Sequence, residues 1–270
     1  MNVRIRFAKY SSMKFIGHLD VMRYFQKAVR RSGINIAYSQ GYHPHQIMSF
    51  AAPLGVGITS DTEFMDLELK ESYPAKKLVE CLNEAMTEGF SITGCRYLPD
   101  PENGRKRETA MSLITCADYL VSLKDGYPFL PKEELYPCFA EFAAQEQIPV
   151  TKEVKKSNSE KELDLKSFFY ASGSSMDTFR AAYPVTADYY EAAGAGLDRY
   201  ISGTPTFADC YENGTTLVMR LSAGSANNIK PELVLEAFCA YLGVEYNPFA
   251  WQIHRFGMYT GENPKLMTLI

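Results

Sequence analysis

The sequence predicts an α+β protein built as two ferredoxin-like βαββαβ units in tandem, with a partly helical insertion in the second. Three observations predict it. Apolar patterns in the first hundred residues run strand, helix, strand, strand, helix, strand. The same order returns beyond a linker-like stretch. Finally, Pro74…Gly89 and Pro231…Gly243 bracket helical stripes at matching places in the two halves. The expected domains are 1–100 and 110–270, and the insertion covers 168–213.

Each element follows from its spacing. Val3, Ile5 and Phe7 alternate with Arg4, Arg6 and Ala8, which predicts a half-buried strand over 3–9. Leu19, Met22, Phe25 and Val29 recur at helical spacing over 18–32, and Gly33 supplies the stop. A short strand is expected over 34–38 and a turn at Gly41-Tyr42-His43-Pro44-His45. Extended runs are expected at 47–51 and, by clean alternation, at 63–70. Leu78, Val79, Leu82 and Met86 make a second helical stripe, with Pro74 placed at its first position and Gly89 ending it. Residues 90–97 read as the next strand.

Pro99-Asp-Pro-Glu-Asn-Gly104, followed by Arg105-Lys106-Arg107, is the linker. Beyond it, strands are expected at 119–123, 148–154, 215–221 and 251–259, with helices at 131–145 and 231–242. Residues 168–213 do not fit the repeat. They are rich in Tyr, Ala, Gly and Ser, with helix-like pieces around 176–182 and 187–201.

The chain has 270 residues, 46% hydrophobic and 22% charged, an ordinary globular composition that excludes a disordered or collagen-like class. No run of 18 apolar residues occurs, so no membrane span is expected, and the first twenty residues do not resemble a signal peptide. The six cysteines stand at least fourteen positions apart, without C-x-x-C spacing. They are expected to be reduced thiols in the cytoplasm, and no cofactor is called for. Walker, dinucleotide, G-x-S-x-G and H-E-x-x-H motifs are all missing, so no recognisable catalytic motif argues for an enzyme.

The net charge of -4 hides an asymmetry. Residues 1–60 hold eight basic side chains against Asp20 alone, leaving the rest of the chain acidic. Within 18–32, Arg23, Lys27 and Arg30 fall on one helical stripe with Arg31 beside them. Such a stripe is either a solvated face or a phosphate-binding one, with Tyr24, Tyr38 and Tyr42 available to stack on bases. His18, His43 and His45 also lie here. Three readings of them stand open: metal ligands, acid–base work by His18 with Asp20, or a capped helix start and a hydrogen-bonded His-Pro-His loop. A second basic run, Lys152, Lys155, Lys156, Lys161 and Lys166, alternates with Glu153, Glu160 and Glu162 and reads as a solvated hairpin.

The motifs Phe15-Ile16-Gly17-His18-Leu19-Asp20-Val21-Met22-Arg23, Tyr38-Ser39-Gln40-Gly41-Tyr42-His43-Pro44-His45, Pro53-Leu54-Gly55-Val56-Gly57 and Ser60-Asp61-Thr62-Glu63-Phe64 carry a resemblance. Over about residues 2–98 the chain resembles the bacterial radical SAM-linked family of unknown function. In the second half, Lys155-Lys156 and Leu163-Asp164-Leu165-Lys166 sit near a basic-then-Asp element of that family. The resemblance implies a radical SAM partner protein and an RNA-linked setting. This chain has no cluster-binding cysteine motif, so the expected role is accessory: presenting RNA or a nucleotide-bearing substrate through Arg23, Lys27, Arg30, Arg31, Tyr42, His43 and His45. The alternatives are an RNA-acting nuclease or transferase using His18 and Asp20, or a pure protein–protein adaptor.

Overall fold

The computed structural model describes residues 1–101, 106–154, 159–203, 205–224 and 227–270; the side chains of 152–161 are outside the description. The linker residues 102–105 therefore lie outside it, as do Lys155, Lys156 and the side chains of Lys152 and Lys161. In chain order the elements are β1 (Asn2–Lys9), α1 (His18–Arg31), β2 (Met48–Phe50), β3 (Thr59–Glu68), α2 (Ala75–Glu84), β4 (Phe90–Tyr97), α3 (Ala110–Leu113) and β5 (Cys116–Leu123). They continue with α4 (Lys132–Ala144), β6 (Pro149–Val154), β7 (Ser159–Asp164), β8 (Phe169–Gly173), α5 (Met176–Ala182), β9 (Ala187–Asp188), α6 (Tyr189–Ala192) and β10 (Arg199–Ile201). The last are β11 (Thr216–Ser222), α7 (Pro231–Tyr241), β12 (Trp251–Glu262) and β13 (Lys265–Thr268). The protein is thus mixed α+β.

Two compact units emerge. One comprises Met1–Thr115, Val185–Ala208 and His254–Ile270; the other comprises Cys116–Pro184 and Asp209–Ile253. Segments 185–208 and 254–270 thus join the first unit, whereas sequence order alone attaches them to the second half.

In the first unit β1 is central, antiparallel to both β3 and β4. β10 extends the sheet beyond β4. On the far side of β3, β2 pairs antiparallel with residues 65–67, and β12 pairs parallel with Thr59 and Ser60. Helices α1 and α2 cover one face. Phe7, Phe25, Phe50 and Phe90 meet there at ring separations of 4.6–6.4 Å, closed by Leu78, Leu82 and Ile92. Each buried phenylalanine contributes roughly 2–3 kcal/mol. Gly33 adopts the left-handed conformation (φ 73°) that ends α1. Pro74 stands one place earlier than expected, at the cap of α2 rather than inside it.

The alternation in β1 holds, but its polar face is not solvated. Arg4 is fully buried and donates twice to Asp66 (2.7 and 3.0 Å) and once to the Tyr190 hydroxyl (2.9 Å). Arg6 donates to Thr93 and to the Gly203 carbonyl, and burial pushes its pKa down. The covering comes from 185–208. Within that segment the expected helix over 187–201 shrinks to the single turn of α6, because β9 and β10 pair with β13 and β4.

In the second unit β11 pairs antiparallel with β5 along its length and with β8 on the other side. The expected strand 148–154 exists but pairs with β7, not with β11. Residues 169–173, assigned to the insertion, are the strand beside β11. α4 and α7 pack through Phe139, Phe142 and Phe238, with ring separations of 5.0–5.8 Å. Among the described residues no helix is long and apolar enough to cross a membrane.

Candidate functional site

Helix α1 sorts its side chains by face. Val21, Phe25, Ala28 and Val29 are buried, while Leu19, Arg23, Lys27, Arg30 and Arg31 are exposed. Arg23, Lys27 and Arg30 form the outer row that helical spacing predicts, and Leu19, expected in the apolar stripe, instead lies exposed beside them at the edge of that stripe. Arg23 has Asp20 at 3.4 Å, an exposed contact of little energetic weight. Arg31 leaves the row. Its guanidinium donates to the Ala85 carbonyl (2.8 Å) and lies over the Tyr24 ring, walling a groove of about 440 Å³ with Cys81, Glu84, Met86 and Thr87.

His18 belongs to a different face. Nine residues separate it from Lys27, which places the two on opposite sides of the helix, ~180° apart. It is the first helical residue and not the cap, a position taken by Gly17 with no side-chain hydrogen bond. Its imidazole turns inward and meets the Phe50 ring edge-on at 5.6 Å. Asp20, instead of pairing with it, is exposed beside Arg23. The structure therefore does not assemble a His18–Asp20 acid–base pair.

His43 and His45 stand on an exposed hairpin tip with Tyr42, closed by a bridge between Tyr38 and Gln46. Ser39 Oγ and His45 Nδ1 are 2.9 Å apart, and the Ser39 and His45 backbones are also joined. Hydrogen bonds thus shape the loop. Among the described residues no group of three or more His, Cys, Asp or Glu side chains is arranged to hold a metal ion. His18, His43 and His45 are not gathered as ligands.

Beneath His18 lies a buried polar cluster that sequence reasoning missed. β1 ends in an irregularity of register between Phe7 and Lys9. Lys9 is only 2% exposed, and its ammonium donates to the Ile16 carbonyl (3.0 Å), just before α1. Glu63, buried on β3, is gripped by Arg255 through Nε (2.8 Å) and Nη2 (2.6 and 2.5 Å), and Arg255 also reaches the Ala52 carbonyl. Burial lowers the pKa of Lys9, with Glu63 opposing and Arg255 adding to the shift. Burial likewise lowers that of His18, with Glu63 opposing and Lys9 adding. The imidazole is therefore neutral at pH 7.

A second buried group lies along the β3–β12 pairing. Thr59 Oγ1 is 2.8 Å from His254 Nδ1, and His254 Nε2 is 3.0 Å from Asp61. Asp61 also accepts from the Phe207 amide, and Ser60 donates to the Arg255 carbonyl. Hydroxyl, imidazole and carboxylate in a row have the composition of a nucleophilic relay. Thr59 and His254 are nevertheless 0% and 1% exposed, so the row clasps one strand to another. Ser60, Asp61 and Glu63 come from one motif; Ser60 and Glu63 bond Arg255, and Asp61 lies beside the His254 ring without a well-aligned hydrogen bond. Only the burial of an acid-rich strand end hinted at this.

The motif segments also present apolar side chains to solvent. Phe15, Leu19 and Val56 are 65%, 67% and 62% exposed, and the Gly57 amide ties the 53–57 loop to the Lys14 carbonyl.

A family model described as an uncharacterized protein conserved in bacteria (DUF2344) matches residues 2–231. The chain belongs to that family. The match takes in every motif quoted above and stops before His254 and Arg255, the residues that face Ser60, Asp61 and Glu63 here. No curated protein matches the chain.

Proposed function

We propose that this protein is an accessory binding module, which holds RNA or a nucleotide-bearing substrate on the outer face of α1 and presents it to a radical SAM partner. One observation carries the reading. Arg23, Lys27 and Arg30 form a single exposed row on a rigid helix, and only Arg23 has an acidic neighbour within ion-pair distance among the described residues. Cations so placed attract phosphates and release counterions. The exposed tip with Tyr42 and His43 adds a stacking ring. The partner rests on the family resemblance. We also assign both units to the ferredoxin-like arrangement: strands run β4-β1-β3-β2 in the first, and β5-β11-β8 with α4 and α7 in the second.

The test is RNA binding across a salt series, with the partner absent and present. Reversal of the row (R23E/K27E/R30E) is expected to weaken binding. It should also lower the slope of log K against log salt by about 0.7 for each phosphate of a single strand that the protein no longer neutralises. An unchanged slope overturns the reading. Unfolding of the triple variant should stay within about 0.5 kcal/mol of the parent, as surface changes usually do.

The exposed trio Phe15, Leu19 and Val56 favours a second reading, a protein–protein adaptor. It predicts that Leu19→Asp and Val56→Asp release a co-purifying partner while the row reversal leaves it bound.

A further inference from the structure

The second unit carries a groove of about 420 Å³ between strand β6 and helix α7, lined by Phe142, Ile148, Val150, Leu233, Ala237 and Tyr241. Pro149, Val150 and Thr151 border it in succession. Successive strand side chains point to opposite faces, so three in a row place the groove along the edge of β6. That edge is unpaired, because β6 and β7 form a sheet of two strands. The Leu165 amide donates to the Ile148 carbonyl, so alternation turns the backbone of Val150 towards β7 and that of Pro149 and Thr151 away from it. The open edge offers the Pro149 carbonyl and both backbone groups of Thr151. A lone two-stranded hairpin is marginal in water, and a third strand stabilises it.

Charge decides what kind of strand fits. Glu236 is the one charged side chain among those lining the groove, and no basic side chain there answers it. Glu232 stands one turn earlier on α7, and one of its carboxylate oxygens is buried without a hydrogen-bond partner. Burial first, and then the Glu232 and Glu236 charges, push the Tyr246 hydroxyl up, so both carboxylates act on one locality. An apolar trough with an acidic wall complements a segment that is apolar and basic.

We propose that this groove receives an extended segment of a partner protein, which adds to β6 as a third strand, sets alternate apolar side chains against α7 and carries a Lys or Arg opposite Glu236. The strand edge supplies affinity and the acidic wall supplies the choice of partner. A second copy of this chain suits the place less well, since a two-fold contact brings Glu232 and Glu236 against their own kind. The groove belongs to the second unit and α1 to the first. The inference goes beyond the RNA-binding reading and does not depend on it.

The experiment selects from a random library of linear octapeptides on the full chain, and the most enriched peptide is then synthesised and titrated. Enriched sequences are expected to alternate apolar residues with at least one Lys or Arg. The Thr151 amide signal should shift saturably and gain protection from hydrogen exchange, and methylation of the peptide's backbone nitrogens should abolish binding. Two variants at exposed positions spare the fold. Ala240→Trp fills the groove and Glu236→Lys reverses its wall; each should weaken binding about tenfold or more. The R23E/K27E/R30E variant should bind the peptide within about twofold of the parent, so failure of RNA binding leaves this site standing. The proposal is overturned by a library without enrichment, by acidic enriched sequences, or by unchanged affinity in the Ala240→Trp protein. Concentration-dependent dimerisation of the free chain that protects Thr151 also overturns it, in favour of a second copy.

Discussion

The two units set the same buried ion pair on their paired strands, with the partners exchanged. In the first, Arg4 on β1 faces Asp66 on β3. In the second, Asp118 on β5 faces Arg220 on β11. Both arginines bind through Nε and a terminal nitrogen, and both lie under aromatic rings: Arg4 against Tyr190, Arg220 against Phe179 and Tyr183. The cross-strand geometry accepts either polarity, because a bidentate pair is symmetric about the strand-to-strand axis. What differs is the surroundings. Arg4 donates to a hydroxyl, that of Tyr190, where Arg220 donates to a carbonyl, that of Tyr183. Asp118 is 1% exposed and Asp66 is 13% exposed.

Removal of the arginines separates the two units most. Arg220→Ala takes the guanidinium from Asp118, which is 1% exposed, and should cost about 3–5 kcal/mol in denaturant unfolding. Arg4→Ala should cost less, since Asp66 is 13% exposed and keeps some solvent. Equal losses would mean that partner exposure does not govern the energy. The next effect tests the aromatic caps. Tyr190→Phe removes the hydrogen bond to Arg4 and should cost about 1 kcal/mol, while Tyr183→Phe keeps the ring over Arg220 and should cost little.

The smallest effect concerns pH. All four histidines belong to the first unit. The pKa of His18 lies below its ordinary value of 6.5, lowered first by burial. Its neutral form is thus favoured by folding. That contribution is complete above pH 6.5 and is lost as the pH falls from there towards the lower folded value. Hydrogen exchange in the first unit should show the decline, and His18→Asn should flatten it.

Much of this architecture was legible in the sequence. Helical spacing placed α1 to within a residue, because one apolar stripe and the Gly33 stop decide it, and the expected strand over 90–97 and helical piece around 176–182 coincide with β4 and α5. Pairing was less legible. Residues 148–154 and 169–173 are both extended, and nothing local says which of them β11 takes. The first unit's polar face misled in an instructive way. Arg4, Arg6 and Lys9 are three of the eight basic side chains that make residues 1–60 basic, yet all three are buried or hydrogen-bonded inward. For Arg4 and Arg6 the partners include Tyr190 and Gly203, far along the chain. The outer row of α1 was readable because its charges stay in solvent. The Lys9, Glu63 and Arg255 cluster was not, because its last member arrives on β12.

That late arrival bears on how the protein comes to be folded. The first unit closes only when residues 254–270 reach β3, after the whole of the second unit has been synthesised. Until then Glu63 has no guanidinium and Asp61 no imidazole, and contacts of such sequence separation form slowly. On the ribosome the second unit has its strands β5, β8 and β11 in hand first, and the N-terminal motifs wait for the far end of the chain to lock them.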